Sequence, residues 1–235
     1  MTTTIGIYTK NGIVLASDTY GIVQFRDGKE QSIHSSKIFK IPFGQYLIAQ
    51  AGYNDPTIAK FFENIERKCK KNNYFLIDSL DSHVKGKEFP ELQEYFDEAE
   101  GNNILVFATP LRDHPGSLFC AEKYMRWKAN EFQGWIATGS GGEYIKDMIR
   151  QAYDVDLTLP QTVVLTFNAL STANEKDPYS DGFEMWQIFN GKALFTPVGL
   201  KQFSSPKTIE DWAKLRIKVK DKLPKGMISK KGHDR

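Results

Sequence analysis

Residues 2–18 read TTTIGIYTKNGIVLASD, and this stretch decides how the chain begins to fold. Two runs rich in β-branched residues flank Asn11-Gly12, the dipeptide most typical of a tight turn between antiparallel strands. Pairing about that turn returns the end of the second run to the start of the first. The stretch therefore predicts a hairpin in which Asp18 lies close to Thr2.

Thr2 is a candidate nucleophile because one peptide bond separates it from the start of the chain. If Met1 is removed, Thr2 carries both a hydroxyl and a free α-amine, whose reference pKa is about 8. Close to neutral pH an appreciable fraction of such an amine is unprotonated, and it can then act as general base for the hydroxyl of the same residue. The plainer interpretation, which the stretch alone leaves open, is that the threonines begin a solvated edge strand.

The composition is that of a globular protein with one large domain. The chain has 235 residues, of which 40% are hydrophobic and 26% charged, so it can bury a sizeable core. It has no apolar run long enough to span a bilayer and no leader that resembles a signal peptide. Cys69 and Cys120 are too few for a disulfide framework. We expect a cytoplasmic protein that does not associate with membranes.

Charge is distributed unevenly along the chain. Residues 201–235 hold 11 Lys or Arg against 4 Asp or Glu, whereas residues 75–101 are rich in carboxylates. The acidic spacing matches no calcium loop, so no metal site is predicted there. The basic segment has few aromatic residues and no base-reading motif, so nucleic acid is not an expected partner. We predict a domain at 1–200 with an acidic insertion at about 75–101, and a basic extension at 201–235.

Apolar periodicity predicts that groups of strands alternate with groups of helices. Residues 19–36 have no such periodicity and are interpreted as a polar loop with a turn at 26–29. Strands are predicted at 37–41, 45–52, 103–109, 117–127, 132–138, 183–189 and 193–196, and helices at 56–71, 90–99, 143–153 and 161–173. This order predicts an α+β fold in which two antiparallel sheets pack face to face with helices on both outer faces, a four-layer αββα sandwich.

Six short stretches of the chain follow a familiar order and spacing. They are residues 2–6, 12–18, 37–41, 51–52, 138–141 and 177–182. Together they resemble a β-type subunit of the proteasome or a bacterial proteasome-like peptidase, both in the N-terminal-nucleophile hydrolase superfamily. The resemblance implies the αββα fold of that superfamily and threonine peptidase activity.

The resemblance also implies roles for the residues at the centre of the site. Thr2 resembles the nucleophile that attacks a peptide carbonyl and forms an acyl-enzyme. Lys37 is similar to the lysine whose charge lowers the pKa of that hydroxyl, and Asp18 to the carboxylate that holds the lysine. The backbone N–H of Gly52 resembles the oxyanion donor, a contact typically worth about 10²–10³ in rate.

Further residues are implied around this centre. Ser140, Asp177 and Ser180 resemble the polar group that surrounds the terminal amine and helps proton transfer. Tyr20 stands where many relatives have arginine, and Gln50 lies two residues before Gly52. These two residues are predicted to line the substrate pocket, with Gln50 as a polar floor.

The predicted function is that of a threonine endopeptidase acting inside a ring. Its substrates are peptides or unfolded proteins, its assembly is a homo- or hetero-oligomer, and an ATP-dependent unfoldase or gating subunit is implied by analogy. No cofactor is expected. Only Met1 precedes Thr2, so a methionine aminopeptidase instead of propeptide cleavage would expose the amine. Two alternatives stay open: a non-catalytic ring subunit that retains Met1, and an amidohydrolase acting on small amides.

Overall fold

A computed structural model describes residues 2–25, 27–41, 46–52, 57–72, 90–99, 101–109, 116–122, 126–128, 134–189 and 195–198. The strands are β1 Thr3–Thr9, β2 Gly12–Ser17, β3 Tyr20–Gln24, β4 Glu30–His34, β5 Ile38–Ile41, β6 Tyr46–Ala51, β7 Ile104–Thr109, β8 Ser117–Glu122, β9 Arg126–Lys128, β10 Trp135–Gly139, β11 Glu184–Phe189 and β12 Phe195–Pro197. The helices are α1 Thr57–Asn72, α2 Pro90–Glu98, α3 Lys146–Ala152 and α4 Leu159–Lys176, and a 3₁₀ turn at Ser140–Tyr144 follows β10.

The N-terminal hairpin forms in the predicted register. β1 and β2 are antiparallel, with Thr4 opposite Ser17 and Thr9 opposite Gly12. Gly12 has a φ of 153°, and a Cβ at this position would lie 2.3 Å from the Ile188 carbonyl oxygen of β11. Only glycine allows a neighbouring strand to approach the turn so closely.

Two five-stranded antiparallel sheets hold most of the buried residues. The first sheet has the order β10-β1-β2-β11-β12, and the second has the order β5-β6-β7-β8-β9. One buried cluster contains residues from both sheets, among them Ile13 of β2, Leu47 of β6 and Val106 of β7. The two sheets therefore share part of the hydrophobic core.

Each sheet also shares a buried cluster with its own pair of helices. Ile5 of β1 clusters with Ile149 of α3 and Val163 of α4. Ile48 of β6 clusters with Phe61 of α1 and Phe96 of α2. The predicted α+β class with antiparallel sheets is confirmed, whereas the αββα layering stays a prediction.

Helix α4 has a strong N-terminal signal and carries part of the site at its far end. Thr158 and Gln161 form a capping box, in which each side chain accepts a hydrogen bond from the backbone N–H of the other residue. The helix is longer than the predicted 161–173, because the N-cap is Thr158 and the last turn extends to Lys176. The helix then ends at Asp177.

Residues 19–36 differ from the predicted loop. Strands β3 and β4 pair as a separate antiparallel hairpin that belongs to neither five-stranded sheet. The side chains of Ile22 and Phe25 are 47% and 48% exposed, and β4 is mostly exposed as well. Because this hairpin buries little apolar surface, its sequence lacks the alternation from which a strand is recognised.

Some predictions fall outside the described residues. These are the start of the helix predicted at 56–71, the start of the strand predicted at 193–196, the acidic stretch before residue 90 and the basic extension. The helix predicted at 90–99 is present as α2, with Leu92, Tyr95 and Phe96 buried. The division into a domain at 1–200 and an extension at 201–235 stays a prediction. In the described part of the chain, no helix combines the length and apolarity needed to cross a membrane.

Candidate active site

The ammonium group of Lys37 lies at the start of β1 and joins three separate segments. Its Nζ lies 2.9 Å from Thr2 Oγ1 and 2.5 Å from Asp18 Oδ1, and it also donates to the carbonyl oxygen of Tyr20. A lysine ammonium has three hydrogens, and each has an acceptor here. The other carboxylate oxygen of Asp18 accepts from the N–H of Thr3 at 3.2 Å. Hydrogen bonds therefore fix both the Lys37 ammonium and the Asp18 carboxylate.

These three side chains are withdrawn from water. Thr2 is 3% exposed and Asp18 is fully buried, while the Lys37 side chain retains 14% exposure. Burial lowers the pKa of Lys37 from its ordinary value, and the Asp18 carboxylate offsets only part of that change. Burial likewise raises the pKa of Asp18, against the opposing effect of Lys37. A buried ammonium beside the Thr2 hydroxyl favours the loss of the hydroxyl proton.

The three consecutive threonines have different hydroxyl partners. Thr2 Oγ1 accepts from Lys37, whereas Thr3 Oγ1 donates to Ser180 Oγ at 3.0 Å. Thr4 Oγ1 lies 3.3 Å from Ser17 Oγ. The lysine thus contacts the same threonine that the sequence singles out as a nucleophile.

Ser140, Asp177 and Ser180 form a hydrogen-bonded group next to Thr3, the first residue of β1. Ser140 Oγ donates to Asp177 Oδ2 at 2.5 Å, and the N–H of Ser180 donates to the Asp177 carbonyl oxygen at 3.0 Å. The nearby Ser180 side chain also lowers the pKa of Asp18, although burial has the larger, opposite effect. The structure therefore brings the three predicted residues together and connects them to Thr3 and Asp18.

The glycine turn after β10 packs directly against the N-terminal residues. Gly139 has a φ of 85°, and a Cβ there would lie 1.6 Å from the carbonyl oxygen of Thr2. A Cβ on Gly141 would lie 2.0 Å from Thr3 Oγ1. The turn needs glycine because its backbone touches the first residues of β1, and this contact places Ser140 beside them.

Gly52 follows the end of β6, next to the strand that leads from Lys37. The N–H of Gln50 donates to the Lys37 carbonyl oxygen at 3.0 Å. Gly52 has a φ of 125°, and a Cβ there would lie 2.4 Å from the Asn102 carbonyl oxygen. The role of the Gly52 N–H as oxyanion donor stays a prediction.

The two residues predicted to line a pocket contact the site through their backbones. The Tyr20 carbonyl binds Lys37, while its ring meets the His34 ring edge-on at a centroid distance of 6.2 Å. Gln50 is 6% exposed, and its backbone hydrogen-bonds Lys37. The roles of both side chains in binding substrate stay predictions.

Two polar residues near the site were not predicted. Asn174 Oδ1 accepts from Ser180 Oγ at 2.6 Å, and its Nδ2 donates to the Gly182 carbonyl oxygen at 3.0 Å. Glu184 Oε2 accepts from the N–H of Lys37 at 3.3 Å. Asn174 lies three residues before Asp177 in the sequence, and this closeness to a predicted site residue could have identified it. Glu184 is 147 residues from Lys37, and no local pattern marks it.

No three His, Cys, Asp or Glu side chains converge as metal ligands within the described ranges. The site combines the Thr2 hydroxyl, the Lys37 ammonium, the Asp18 carboxylate and nearby backbone amides, which together suit nucleophilic attack on a carbonyl.

Solved structures with a similar fold include two forms of Anbu. Anbu (ancestral β-subunit) from Yersinia bercovieri has a TM-score of 0.68 and 12% sequence identity, and the alignment covers 97% of this chain and 100% of that chain. A Gly-1 mutant of Anbu from Hyphomicrobium sp. strain MC1 has a TM-score of 0.68 and 11% identity, with the same coverage. The fold resembles that of Anbu. No family model and no curated protein matches the chain.

These comparisons correct the family assignment drawn from the six short stretches. The assignment to proteasome β-type subunits or bacterial proteasome-like peptidases is wrong, because no family model matches and the likeness to Anbu, at 12% identity, is one of fold alone. The stretches contain Gly12, Gly52 and Gly139, whose backbone conformations or close contacts require glycine. Such residues follow from the geometry of a fold and do not identify a family.

Proposed function

We propose that this chain is a threonine-type hydrolase of amide bonds, with Thr2 as its nucleophile. The observation that supports the proposal most directly is the 2.9 Å contact between Lys37 Nζ and Thr2 Oγ1 beside the buried Asp18 carboxylate. A cation at this distance stabilises the alkoxide form of the hydroxyl, and burial strengthens the effect because little water screens it.

The proposed reaction requires Thr2 to be the first residue of the mature chain. Its free α-amine accepts the hydroxyl proton while Oγ1 bonds to the substrate carbonyl carbon. The N–H of Gly52 donates to the oxyanion, and the protonated amine returns its proton to the leaving nitrogen as the C–N bond breaks. Water then attacks the acyl-enzyme with the amine again as base, which releases the acid and restores Thr2.

The surrounding residues have supporting roles in this proposal. Asp18 keeps Lys37 charged and oriented. Ser140, Asp177 and Ser180 orient the terminal amine and relay its proton, and the Ser140–Asp177 contact of 2.5 Å supports this role. Tyr20 and Gln50, whose backbones adjoin Lys37, would shape the pocket for the residue before the cleaved bond.

The substrate class and assembly are part of the same proposal. We take peptides or unfolded proteins as substrates and a ring of subunits, arranged as αββα domains, as the assembly. The support for an oligomer is that the similar Anbu structure is described as an ancestral β-subunit. A ring would limit access to a nucleophile that otherwise cleaves cellular proteins, and an unfoldase or gating subunit would then control entry.

Two measurements on the purified protein test the proposal. Intact-mass spectrometry shows whether Met1 has been lost, and a peptide epoxyketone should add its mass once per chain at Thr2. Loss of Met1 together with capture at Thr2 is the expected result. Retained Met1 without labelling would contradict the proposal and favour a non-catalytic subunit. Turnover of small amides without turnover of peptides would restrict the substrate class to small amides.

A further inference from the structure

Glu184 connects the first sheet to the backbone of Lys37. It opens β11 opposite Ser17 of β2, one residue before Asp18. Its Oε2 accepts from Ser36 Oγ at 2.7 Å and from the N–H of Lys37 at 3.3 Å. Its Oε1 accepts from Trp186 Nε1 at 3.0 Å. The half-buried carboxylate thus spans from β11 to the residues that lead into β5.

The backbone of Lys37 is hydrogen-bonded to both sheets. Its N–H donates to Glu184 of the first sheet, and its carbonyl oxygen accepts from the N–H of Gln50 in the second sheet. We propose that Glu184 is a positioning residue that fixes the backbone of Lys37 so that Nζ reaches Thr2. This inference rests on the proposed function, because it assigns Glu184 to the same reaction.

Backbone placement matters for a lysine because four rotatable bonds separate Cα from the ammonium. The three acceptors around Nζ fix the ammonium end of the side chain, and the hydrogen bonds to Glu184 and Gln50 fix the backbone of Lys37. A displacement of about 1 Å at a reacting group can reduce the rate by about 10²-fold. Glu184 contacts the backbone N–H of Lys37, so the effect that we propose for it is on the position of the lysine.

The first test compares substitutions that remove different contacts of the carboxylate. Glu184→Ala should lower kcat by about 10- to 100-fold and change KM by less than about 2-fold, because only the reacting geometry is disturbed. Glu184→Gln should recover most of the activity, since the amide oxygen can accept from Ser36 and Lys37. Trp186→Phe is the control, because it removes the donor to Oε1 and part of the indole packing but leaves both contacts of Oε2, and it should retain the wild-type kcat.

Two results in this series would overturn the inference. One is unchanged kcat in Glu184→Ala. The other is a Glu184→Gln variant as slow as Glu184→Ala, which would assign the effect to charge. If Glu184→Ala does not fold, Ser36→Ala at the exposed donor replaces it, with an expected loss in kcat of about 3-fold or more. Unchanged kcat in that variant would count equally against the inference.

The second test separates positioning from a general structural role. The rate of Thr2 labelling by the epoxyketone is followed by mass in wild type, Glu184→Ala, Lys37→Ala and the double variant. If Glu184 acts through Lys37, Glu184→Ala has no further effect in the Lys37→Ala background, whereas additive losses refute this. Full labelling in Lys37→Ala would refute the proposed role of Lys37, and no labelling of Thr2 in the wild type would refute the proposed function itself. Slow labelling in Lys37→Ala with full labelling in Glu184→Ala would refute the positioning role alone.

Discussion

The Asp18–Lys37 pair provides the sharpest test of the site. Asp18 is fully buried, and Lys37 Nζ lies 2.5 Å from its carboxylate with 14% of the lysine side chain exposed. Asp18→Asn preserves shape and removes the charge, so it leaves a nearly buried ammonium without its counter-ion. Removal of one partner from a buried pair costs about 3–5 kcal/mol, and the residual exposure of Lys37 favours the lower end, about 3 kcal/mol. In a chain of this size that corresponds to a fall in Tm of about 6–12 °C.

The pH dependence of this loss has a defined sign. Asp18 raises the pKa of Lys37 and burial lowers it, so Asp18→Asn lowers that pKa further in the folded protein. In the unfolded chain the lysine keeps a reference pKa of about 10.4. Between these two values the unfolded state binds more protons, so the free energy of unfolding of the variant rises with pH. The deficit relative to wild type should shrink as the pH increases toward about 10.

Urea denaturation followed by circular dichroism at pH values between about 6 and 9.5 measures this deficit. Asp156→Asn is the matched control, since it breaks an exposed Asp–Lys pair of 2.8 Å with Lys10 and should leave stability unchanged. In activity assays, the fall of kcat at alkaline pH should begin at a lower pH in Asp18→Asn than in wild type, because Lys37 loses its proton at a lower pH. A variant as stable as wild type at every pH, with an unshifted fall of kcat, would refute the buried pair.

Three other substitutions test the roles of neighbouring residues. Thr2→Ala should abolish hydrolysis and preserve assembly in native mass spectrometry; full activity would rule out Thr2 as nucleophile. Lys37→Ala should reduce kcat by about 10²-fold or more through loss of charge stabilisation, and undiminished turnover would argue against that role. Gly139→Ala should reduce both activity and Tm because its Cβ would lie 1.6 Å from the Thr2 carbonyl oxygen. Gly28→Ala is its control, with a similar φ of 82° and no atom within 4 Å of the added Cβ; equal effects of the two would show that backbone strain alone is responsible.

The parts of the fold that depend on neighbouring residues were predictable from the sequence. Asn11-Gly12 specifies a turn, and the turn fixes the register that pairs Thr4 with Ser17. The proximity of Asp18 to Thr2 follows from that register without knowledge of the rest of the chain. The apolar spacing in α1 and the buried residues of α2 likewise follow from helical periodicity.

Other parts of the site depend on contacts between distant segments, and local patterns do not encode them. Lys37 was assigned by resemblance, and its distance to Thr2 is set by the packing of one sheet on the other. Glu184 reaches Lys37 across 147 residues of sequence. The need for glycine at position 139 comes from the carbonyl of Thr2, which lies just before β1 and 137 residues away in the sequence. The β3–β4 hairpin was missed for another reason, since its exposure removes the apolar alternation.

Part of the site lies within one hairpin, and the rest is brought to it by contacts between distant segments. Thr2 and Asp18 belong to one hairpin, whose central position between β10 and β11 fixes the start of β1. Lys37 comes from the second sheet, and Ser180 comes from the turn after α4. We therefore expect the Lys37–Thr2 distance to depend on how the two sheets pack, whereas the pairing within the hairpin does not. Because Glu184 and Gln50 bind the Lys37 backbone from opposite sheets, the proposed mechanism predicts that substitutions between the two sheets have the largest effect on the reactivity of Thr2.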